Sequence, residues 1–372
     1  MVRRPSPRAR AAQWLLLLAV GAAFWLLAGM AGANMDRRHT SFGFGFLLDG
    51  HANFDIPFHL VSWRVGDTYL WALVVCVLNT LLVSAMAIVA ATLLGFLVGI
   101  MRLSSNWLVR NIALWFIELV RNTPILVQII FWYVAVLSTL PSPRLSILLP
   151  GGALLNVRGL YLPRLIEAPR AVVLWPLALL LLIAMPFLWR ATLRGRPVGA
   201  RALLLAVLAV ALFGGAVSGF DWPALHGFNI TGGVQLPPEL AALWAGLSIY
   251  GAAFIAEIVR AAILSVHKGQ REAALSLGLR PRHVLSKIIV PQALRVMIPP
   301  LTSQYLNIIK SSSLGAAVAY PELFQIFAGT VLQQSAREVE VMILLMAVFL
   351  SISLAGSAFM NWYNRHVALV ER

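Results

Sequence analysis

The chain has 372 residues, of which 60% are hydrophobic and 12% are charged, and its mean hydropathy is +0.83. A soluble domain carries about a quarter of its residues as charged ones, so this composition excludes an ordinary soluble enzyme, and the apolar content excludes a disordered chain. The formal charge of +15 fits two protein classes. One is a nucleic-acid-binding protein, and the other is a membrane protein that keeps Lys and Arg in its cytoplasmic loops.

Long apolar runs predict the overall class of fold. A membrane-spanning helix needs roughly 20 mostly apolar residues, and only helices or closed barrels satisfy their backbone groups in lipid. Unbroken runs without strict alternation favour helices. We therefore predict an all-α integral membrane protein with about eight transmembrane helices, at 14–33, 69–101, 112–140, 171–189, 202–219, 240–266, 292–309 and 341–362.

The first run has two interpretations. Four arginines precede it and Ala31-Gly32-Ala33 ends it, as in a secretory signal peptide with its cleavage site. Its apolar stretch is longer than the core of most signal peptides, so we expect an uncleaved anchor helix. The external segment that follows, up to residue 68, is rich in aromatic residues and glycine.

Basic residues predict the orientation in the membrane. With the N-terminus in the cytoplasm, 18 Lys and Arg fall in inner segments and 8 in outer ones. This bias predicts that both termini are cytoplasmic, and it explains much of the charge without nucleic acid. The outer segment 141–170 is rich in proline, and we expect no folded domain there. The single Cys76 excludes an intrachain disulfide.

Charged residues inside apolar runs are costly and tend to face a pore, a partner or another charge. Glu118 and Arg121 lie three residues apart in the third run, and Glu257 and Arg260 repeat this spacing in the sixth. Each pair either lines a translocation path or forms an intrahelical ion pair. Asn122-Thr123-Pro124 is expected to bend the third span.

The loop between the sixth and seventh runs combines short helices with basic residues. We predict a helix over 272–277 that ends at Gly278, and a second short helix that begins at Pro281. The apolar positions of each helix share one face. Two such helices that cross at a glycine would form a compact cytoplasmic projection, suited to a groove on a partner protein.

The seventh run is the most polar and contains Pro299-Pro300, so we expect it to lie inside a helix bundle. Gln304, Asn307 and Lys310 share one face at intervals of three residues. They either contact a solute with an ammonium and a carboxylate group or hold helices together.

Several kinds of site have no sequence signal. The chain has no phosphate-binding loop, no metal-ligand spacing among its seven histidines, and no catalytic constellation. We therefore expect no catalytic residue, no metal and no cofactor bound by this chain.

The cytoplasmic loop resembles the EAA loop of binding-protein-dependent ABC importer permeases, the type-1 transmembrane family. The residues that match the family pattern at its spacings are Glu272, Ala273, Ala274, Gly278, Ile288 and Pro291. Val290 replaces the usual leucine. In this family the loop forms the coupling helix that docks onto the ATP-binding subunit, so the resemblance implies a coupling role for these six residues.

Two further stretches resemble the polar amino-acid subgroup of these permeases: 118–128, which includes Gln128, and 291–314, in which Ser311 stands where the subgroup usually has Asn. The N-terminal segment and the helix pair within 171–219 look like those of the larger, broad-specificity L-amino-acid permeases. The implied organisation is an anchor helix and external segment at 1–68, a type-1 permease domain at 69–363 with an inserted region at 141–239, and a cytoplasmic tail at 364–372.

The resemblance implies a permease subunit of an ATP-driven importer in the bacterial inner membrane, and not an enzyme. ATP and Mg would bind a separate ATP-binding subunit, and the other partners would be a second permease subunit in a heterodimer, a periplasmic amino-acid-binding protein and membrane lipid, but no nucleic acid. The candidate residues of the translocation path are Glu118, Arg121, Asn122, Gln128, Glu257, Arg260, Gln304, Asn307 and Lys310.

Two other functions stay open at this point. An ion-coupled secondary amino-acid transporter could use Glu257 or Glu118 to carry a proton or ion, but it predicts inverted repeats that the sequence lacks. An integral membrane enzyme would need the catalytic constellation that we do not find.

Overall fold

A computed structural model of the chain describes residues 7–37, 42–167, 217–227 and 229–367, together with the single positions 174, 207, 208, 211 and 214. The α-helices among these residues are α1 (Pro7–Arg37), α2 (Phe46–Asp49), α3 (Tyr69–Arg102), α4 (Trp107–Asn122), α5 (Ile125–Ile130), α6 (Pro238–Ser265), α7 (Lys268–Ser276), α8 (Pro281–Val284), α9 (Val290–Ser311), α10 (Leu332–Ser335) and α11 (Glu338–Val367). Helix α1 extends through the whole of the first predicted span.

Within the described residues, four helical stretches are long and apolar enough to cross a membrane: Tyr69–Arg102, Pro238–Ser265, Pro281–Val318 and Glu338–Trp362. They coincide with the predicted second, sixth, seventh and eighth spans. A fifth crossing is present if α4 and the helical stretch Ile125–Thr139 count as one span. The fourth predicted span, 171–189, and most of the fifth, 202–219, lie outside the described residues.

The third predicted span is broken. Helix α4 ends at Asn122, the next helical stretch begins at Ile125, and the two are bent by 105°. Pro124 has no N–H to donate and restricts the preceding residue, so Thr123 is extended with φ −99° and ψ 127°. The third predicted span, 112–140, therefore consists of two helical stretches and not of one continuous helix, and the expected bend at Asn122-Thr123-Pro124 is confirmed.

Helix α6 is more deeply buried than the helices that pack around it. It begins with Pro238 in the first turn, and small residues let other helices approach it closely. A Cβ built on Gly246 would lie 2.6 Å from Cγ1 of Ile129, and one built on Gly251 would lie 2.9 Å from Cβ of Ala91. Helix α6 thus packs against α3, α4, α5 and α9, where it fixes the positions of the polar side chains described below.

The seventh predicted span packs on one side only. Helix α9 continues through Pro299-Pro300, and it buries the face that carries Met297, Leu301 and Ile308. Both prolines are exposed. The prediction that this span lies inside a bundle therefore holds, within this chain, for one of its faces.

The structure corrects the all-α prediction, because short antiparallel strands occur in the inserted region. They are β1 (Ile147–Leu149), β2 (Ala153–Asn156), β3 (Gly159–Leu162), β4 (Arg164–Glu167), β5 (Val217–Asp221), β6 (Ala224–His226), β7 (Asn229–Thr231) and β8 (Val234–Leu236). One sheet has the order β1-β2-β3-β8, and β4-β5 and β6-β7 form separate pairs. The described part of the segment 141–170, which ends at residue 167, therefore contains folded strands, and residues 217–219 of the fifth predicted span belong to β5. Strands of three to five residues are too short to give a clear period-two pattern.

The described residues divide into two compact units. One contains Met1–Asn79 and Pro321–Ala358, and the other contains Thr80–Tyr320 and Phe359–Arg372. The first unit has its own core, in which Ile56, Trp63 and Phe327 are buried together with Val75. The second unit contains α6, the loop 267–291 between the sixth and seventh predicted spans, and the strands.

Candidate functional site

The predicted coupling loop begins with a capped helix. Nδ1 of His267 accepts a hydrogen bond from the N–H of Gly269 at 3.1 Å, which satisfies one of the free donors at the start of α7. The helix therefore begins at Lys268, four residues earlier than Glu272, where we predicted its start. Glu272 and Ala273 are exposed on it, and neither side chain packs into the chain's own interior.

Gly278 forms the turn after α7. Its φ is +77°, its N–H donates to Leu275 O at 2.9 Å, and the N–H of Leu279 donates to Ala274 O at 3.2 Å. This pair of bonds is the Schellman motif, which places a left-handed residue just past the helix end. No atom lies within 4 Å of a Cβ built on Gly278, so the backbone conformation alone favours glycine here.

The second half of the loop continues into the membrane. Pro281 starts α8, which passes through the π-helical segment Leu285–Ile289 into α9. The predicted second helix does begin at Pro281. It is not the separate short helix that we predicted, because it continues directly into the next span. Ile288 is half-buried and Pro291 is exposed in this continuous stretch.

Helices α7 and α8 pack against each other, and each buries one small apolar side chain, Ala274 and Val284. The other apolar residues of the loop point outward: Leu277 is 82% exposed and Leu285 is 48% exposed. The loop thus presents apolar side chains among exposed basic ones, Lys268, Arg271, Arg280, Arg282 and Lys287.

The two charged pairs differ from each other. Arg260 Nε donates to both carboxylate oxygens of Glu257, at 3.0 and 3.1 Å, so the expected intrahelical ion pair is present in α6. Glu118 instead accepts from Asn122 Nδ2 at 3.3 Å, while the guanidinium of Arg121 lies 5.1 Å from the ring centre of Phe254. The ion pair expected between Glu118 and Arg121 is replaced by these contacts, because Phe254 of α6 offers Arg121 an aromatic face.

Gln128 is buried at the break in the third span. Its Nε2 donates to Val120 O at 2.9 Å and to Thr123 O at 3.0 Å, and Oγ1 of Thr123 donates to Leu119 O at 2.8 Å. These bonds satisfy carbonyls that the end of α4 leaves without helical partners. Gln128 therefore supports the break from within the chain, while Glu118, Arg121 and Asn122 are exposed beside it.

The polar residues of α9 differ in their exposure. Gln304 is buried, whereas Asn307 and Lys310 are exposed. The neighbouring Tyr305 accepts a hydrogen bond from Oγ1 of Thr92 at 3.0 Å, which joins α9 to α3.

Sequence reasoning missed a buried carboxylate. Glu322, which follows Pro321 and precedes the helical stretch through Ser335, accepts hydrogen bonds from the N–H of Phe324 at 2.8 Å and of Gln325 at 2.6 Å. Burial raises the pKa of this carboxyl to about 7, although these two bonds act in the opposite direction. The available signal was an acidic residue just before an apolar helix, which is typical of an N-terminal cap.

The coupling loop and the polar residues of the spans all fall within the part of the chain that matches a known family. The family described as "Binding-protein-dependent transport system inner membrane component" matches residues 91–369. The chain belongs to this family. It is a multi-pass membrane permease.

Relatives extend the similarity beyond the family region. The permease is 47% identical over 380 residues to YhdX of Escherichia coli (strain K12), which is named as an amino-acid ABC transporter permease; the match covers 99% of this chain and 96% of that one. It is 43% identical to AapQ of Rhizobium johnstonii, a general L-amino acid transport system permease, over 96% and 91% of the two chains.

A third relative and a solved structure agree with this assignment. BztB of Rhodobacter capsulatus, a glutamate/glutamine/aspartate/asparagine transport system permease, is 37% identical over 96% of this chain and 93% of its own. The crystal structure of an amino acid ABC transporter with histidines superposes with a TM-score of 0.50 at 19% identity, covering 80% of the permease and 95% of that chain. The permease therefore has the fold of ABC importer transmembrane subunits.

Proposed function

We propose that this permease is a transmembrane subunit of an ATP-driven ABC importer that moves L-amino acids, with broad specificity for polar ones, across the bacterial inner membrane. The observation that carries the proposal is the similarity, over more than nine-tenths of the chain, to permeases named for amino-acid transport. The exposed coupling loop supports it, since it has the form of a docking element.

ATP chemistry belongs to a separate subunit in this proposal. The permease has no phosphate-binding loop, so ATP and Mg bind the partner, and the permease itself binds no cofactor. The six loop residues Glu272, Ala273, Ala274, Gly278, Ile288 and Pro291 form the coupling element. Leu277 and Leu285 are the apolar anchors for the partner's groove, and the surrounding basic residues fit an acidic rim.

The translocation path lies between this permease and a second permease subunit of a different sequence. Exposed polar groups at membrane depth are costly against lipid, which supports a partner or a pore beside them. These groups are Glu118, Arg121, Asn122, Asn307 and Lys310, with Glu257 and Arg260 partly exposed. An arginine or lysine suits the carboxylate of an amino acid, and a glutamate suits its ammonium. Gln128 and Gln304 support this path from within the chain.

The proposed topology has eight spans and two cytoplasmic termini. The bias of basic residues toward the predicted inner segments supports this orientation, and it places the coupling loop in the cytoplasm. A periplasmic amino-acid-binding protein would deliver solute from the opposite side, in keeping with the binding-protein-dependent family.

Purification of the tagged permease from its native membranes tests the proposal. We expect an ATP-binding subunit and a second permease to co-purify with it, and ATP hydrolysis to rise when binding protein and amino acid are added. Recovery of the folded permease alone, with amino-acid uptake that follows an ion gradient, would instead support a secondary transporter.

A further inference from the structure

Strands β4 and β5 lie at the two ends of the predicted inserted helix pair. They are antiparallel, and Leu165 lies opposite Phe220 in the register. Residues 168–216 connect them, and this part of the sequence contains the predicted span 171–189 and most of the predicted span 202–219. Arg190, Arg194, Arg196 and Arg201 lie between these two spans.

In the proposed topology the paired strands stand directly before and after two predicted spans. Two spans return a chain to the side from which it started, and the four arginines between them in the sequence favour the cytoplasmic side for the residues that join the spans. Because β4 and β5 are hydrogen-bonded to each other, both ends of the inserted pair meet at one place on the outer side. This step rests on the topology given in the proposed function.

The surface at this place is apolar and aromatic. Phe220 and Trp222 are each 53% exposed, and their ring centres lie 5.9 Å apart. Leu165, opposite Phe220, is also exposed, and Arg164 next to it is exposed as well. Exposed side chains of this kind are unusual as a cluster on a water-facing surface, whereas aromatic rings are enriched at the membrane interface.

Trp222 is held in place by the neighbouring sheet. A Cβ built on Gly152, in the turn before β2, would lie 2.6 Å from Cε3 of Trp222, so only the absence of a side chain there lets the indole ring pack against this turn. On the other side, the carboxylate of Asp221 accepts a hydrogen bond from the N–H of Gly233 at 3.1 Å. The ring is thus fixed to the strands while half of it stays exposed.

We propose that Leu165, Phe220 and Trp222 form an interfacial anchor that lies in the phospholipid headgroup region of the outer leaflet. Lipid is the occupant because the chain continues from both strands into predicted spans, which keeps this surface at the membrane boundary. Trp and Phe place an apolar ring toward the acyl chains, and Arg164 can reach a lipid phosphate. The anchor would fix the outer ends of the inserted helix pair.

Fluorescence quenching by nitroxide lipids tests the anchor. Since Cys76 is the chain's single cysteine and is buried, Cys76→Ala leaves a background into which Phe220→Cys or, separately, Leu165→Cys introduces one bimane label. The full chain is placed in phosphatidylethanolamine/phosphatidylglycerol vesicles. Both labels should lose at least half of their fluorescence to a headgroup nitroxide and less to a nitroxide deep in the acyl chain.

Two control positions calibrate the depth. Leu350→Cys, exposed in the middle of α11, should show the opposite order of quenching, and Leu277→Cys in the coupling loop should be quenched by neither lipid. If the labels at Phe220 and Leu165 behave like that at Leu277, or respond only when binding protein is added, the surface contacts water or protein and the proposal is wrong. Co-purification with an ATP-binding subunit does not depend on this result, so the two proposals fail separately.

Discussion

Gly278 shows how one residue can set the shape of the coupling loop. Its positive φ ends α7 and redirects the chain into α8, so the angle between the two helices depends on this backbone conformation. Because nothing crowds its Cα, a substitution acts first through φ and only then through the added side chain. The surrounding exposed loop has few other contacts with which to compensate.

Gly278→Asp should leave membrane insertion intact and abolish ATP hydrolysis stimulated by solute. A residue with a Cβ in the left-handed region costs roughly 1–2 kcal/mol, and a carboxylate would also be repelled by the acidic rim that we propose around the partner's groove. The matched control is Gly66→Asp, since Gly66 also has a positive φ and open space but lies in the external segment. Stimulated hydrolysis equal to that of the unmodified complex would exclude a docking role for this turn.

Gln128→Leu should destabilise the permease by about 1–3 kcal/mol, because the carbonyl of Thr123 would lose the donor Gln128 and that of Val120 would keep only the longer bond from the N–H of Thr123, at 3.4 Å. The volume of the side chain changes little, so packing is preserved. Thermal unfolding in nanodiscs measures the effect, and Gln333→Leu, at an exposed position, is the control. Equal melting temperatures for the two variants would show that the break needs no such support.

Glu322 predicts a pH dependence of stability. Below its ordinary pKa of 4.5 the carboxyl is protonated in both the folded and the unfolded state. Between pH 4.5 and about 7 the unfolded carboxyl is ionised while the buried one retains its proton, so the free energy of unfolding should fall as pH rises through this window, on the order of 1–3 kcal/mol. The residue lies outside the spanning helices Pro281–Val318 and Glu338–Trp362.

Melting temperatures at pH 4.5 and pH 7.5 measure this dependence. Glu322→Gln should flatten the difference, whereas Glu338→Gln, at an exposed position, should retain it. A slope that survives Glu322→Gln would assign the titration to another group.

At the scale of helices, close approach between α3 and α6 depends on two glycines one turn apart. A Cβ on Gly95 would lie 2.6 Å from Cβ of Ile255, and one on Gly99 would lie 2.8 Å from Ala256 O. Small residues at this spacing let membrane helices pack backbone to backbone. Helix α6 in turn carries Glu257 and Arg260, so the glycine contact helps to position the ion pair.

Gly95→Ala should lower stability by about 1–3 kcal/mol, the usual cost of overpacking, although alanine is the better helix former. Gly329→Ala is the matched control, because that helical glycine has open space around it. The yield of monodisperse protein and the melting temperature measure both variants. A Gly95→Ala variant as stable as Gly329→Ala would show that the two helices can separate without cost.

The elements that sequence could predict are those set by local chemistry. Asn122-Thr123-Pro124 located the break, and Gly278 located the end of α7, since proline and a left-handed glycine act through their own backbone. The start of α7 depends on a histidine cap, and the length of α8 depends on its continuity with α9. The pattern of apolar and turn-forming residues in the sequence therefore predicted neither. The short strands are stabilised by pairing between distant segments, such as β3 with β8, which no local signal reports.

At the site, the contacts of the polar residues likewise could not be predicted from sequence spacing alone. Spacing placed Glu118 and Arg121 on one face, but the position of Phe254 on another helix decided the contact of Arg121. Gln128 was selected as a polar residue in an apolar run, and only the tertiary structure shows that it satisfies the carbonyls at the break.

For the whole molecule, the distribution of charge and the exposed apolar surface both support the proposed assembly with other subunits. The basic residues concentrate in predicted cytoplasmic segments, polar groups of the spans are exposed, and the loop presents exposed apolar side chains. In the proposed function these surfaces contact a second permease and an ATP-binding subunit, so transport depends on assembly. In the proposed function, ATP hydrolysis on the partner is transmitted through the loop and drives amino-acid movement.

Uptake of a radiolabelled L-amino acid into vesicles that contain the purified complex distinguishes ATP-driven transport from ion-coupled transport. With binding protein outside and ATP inside, we expect accumulation against the gradient, and no accumulation when the ATP is replaced by a non-hydrolysable analogue. Accumulation that proceeds without ATP and follows an imposed proton or sodium gradient would exclude an ATP-driven importer.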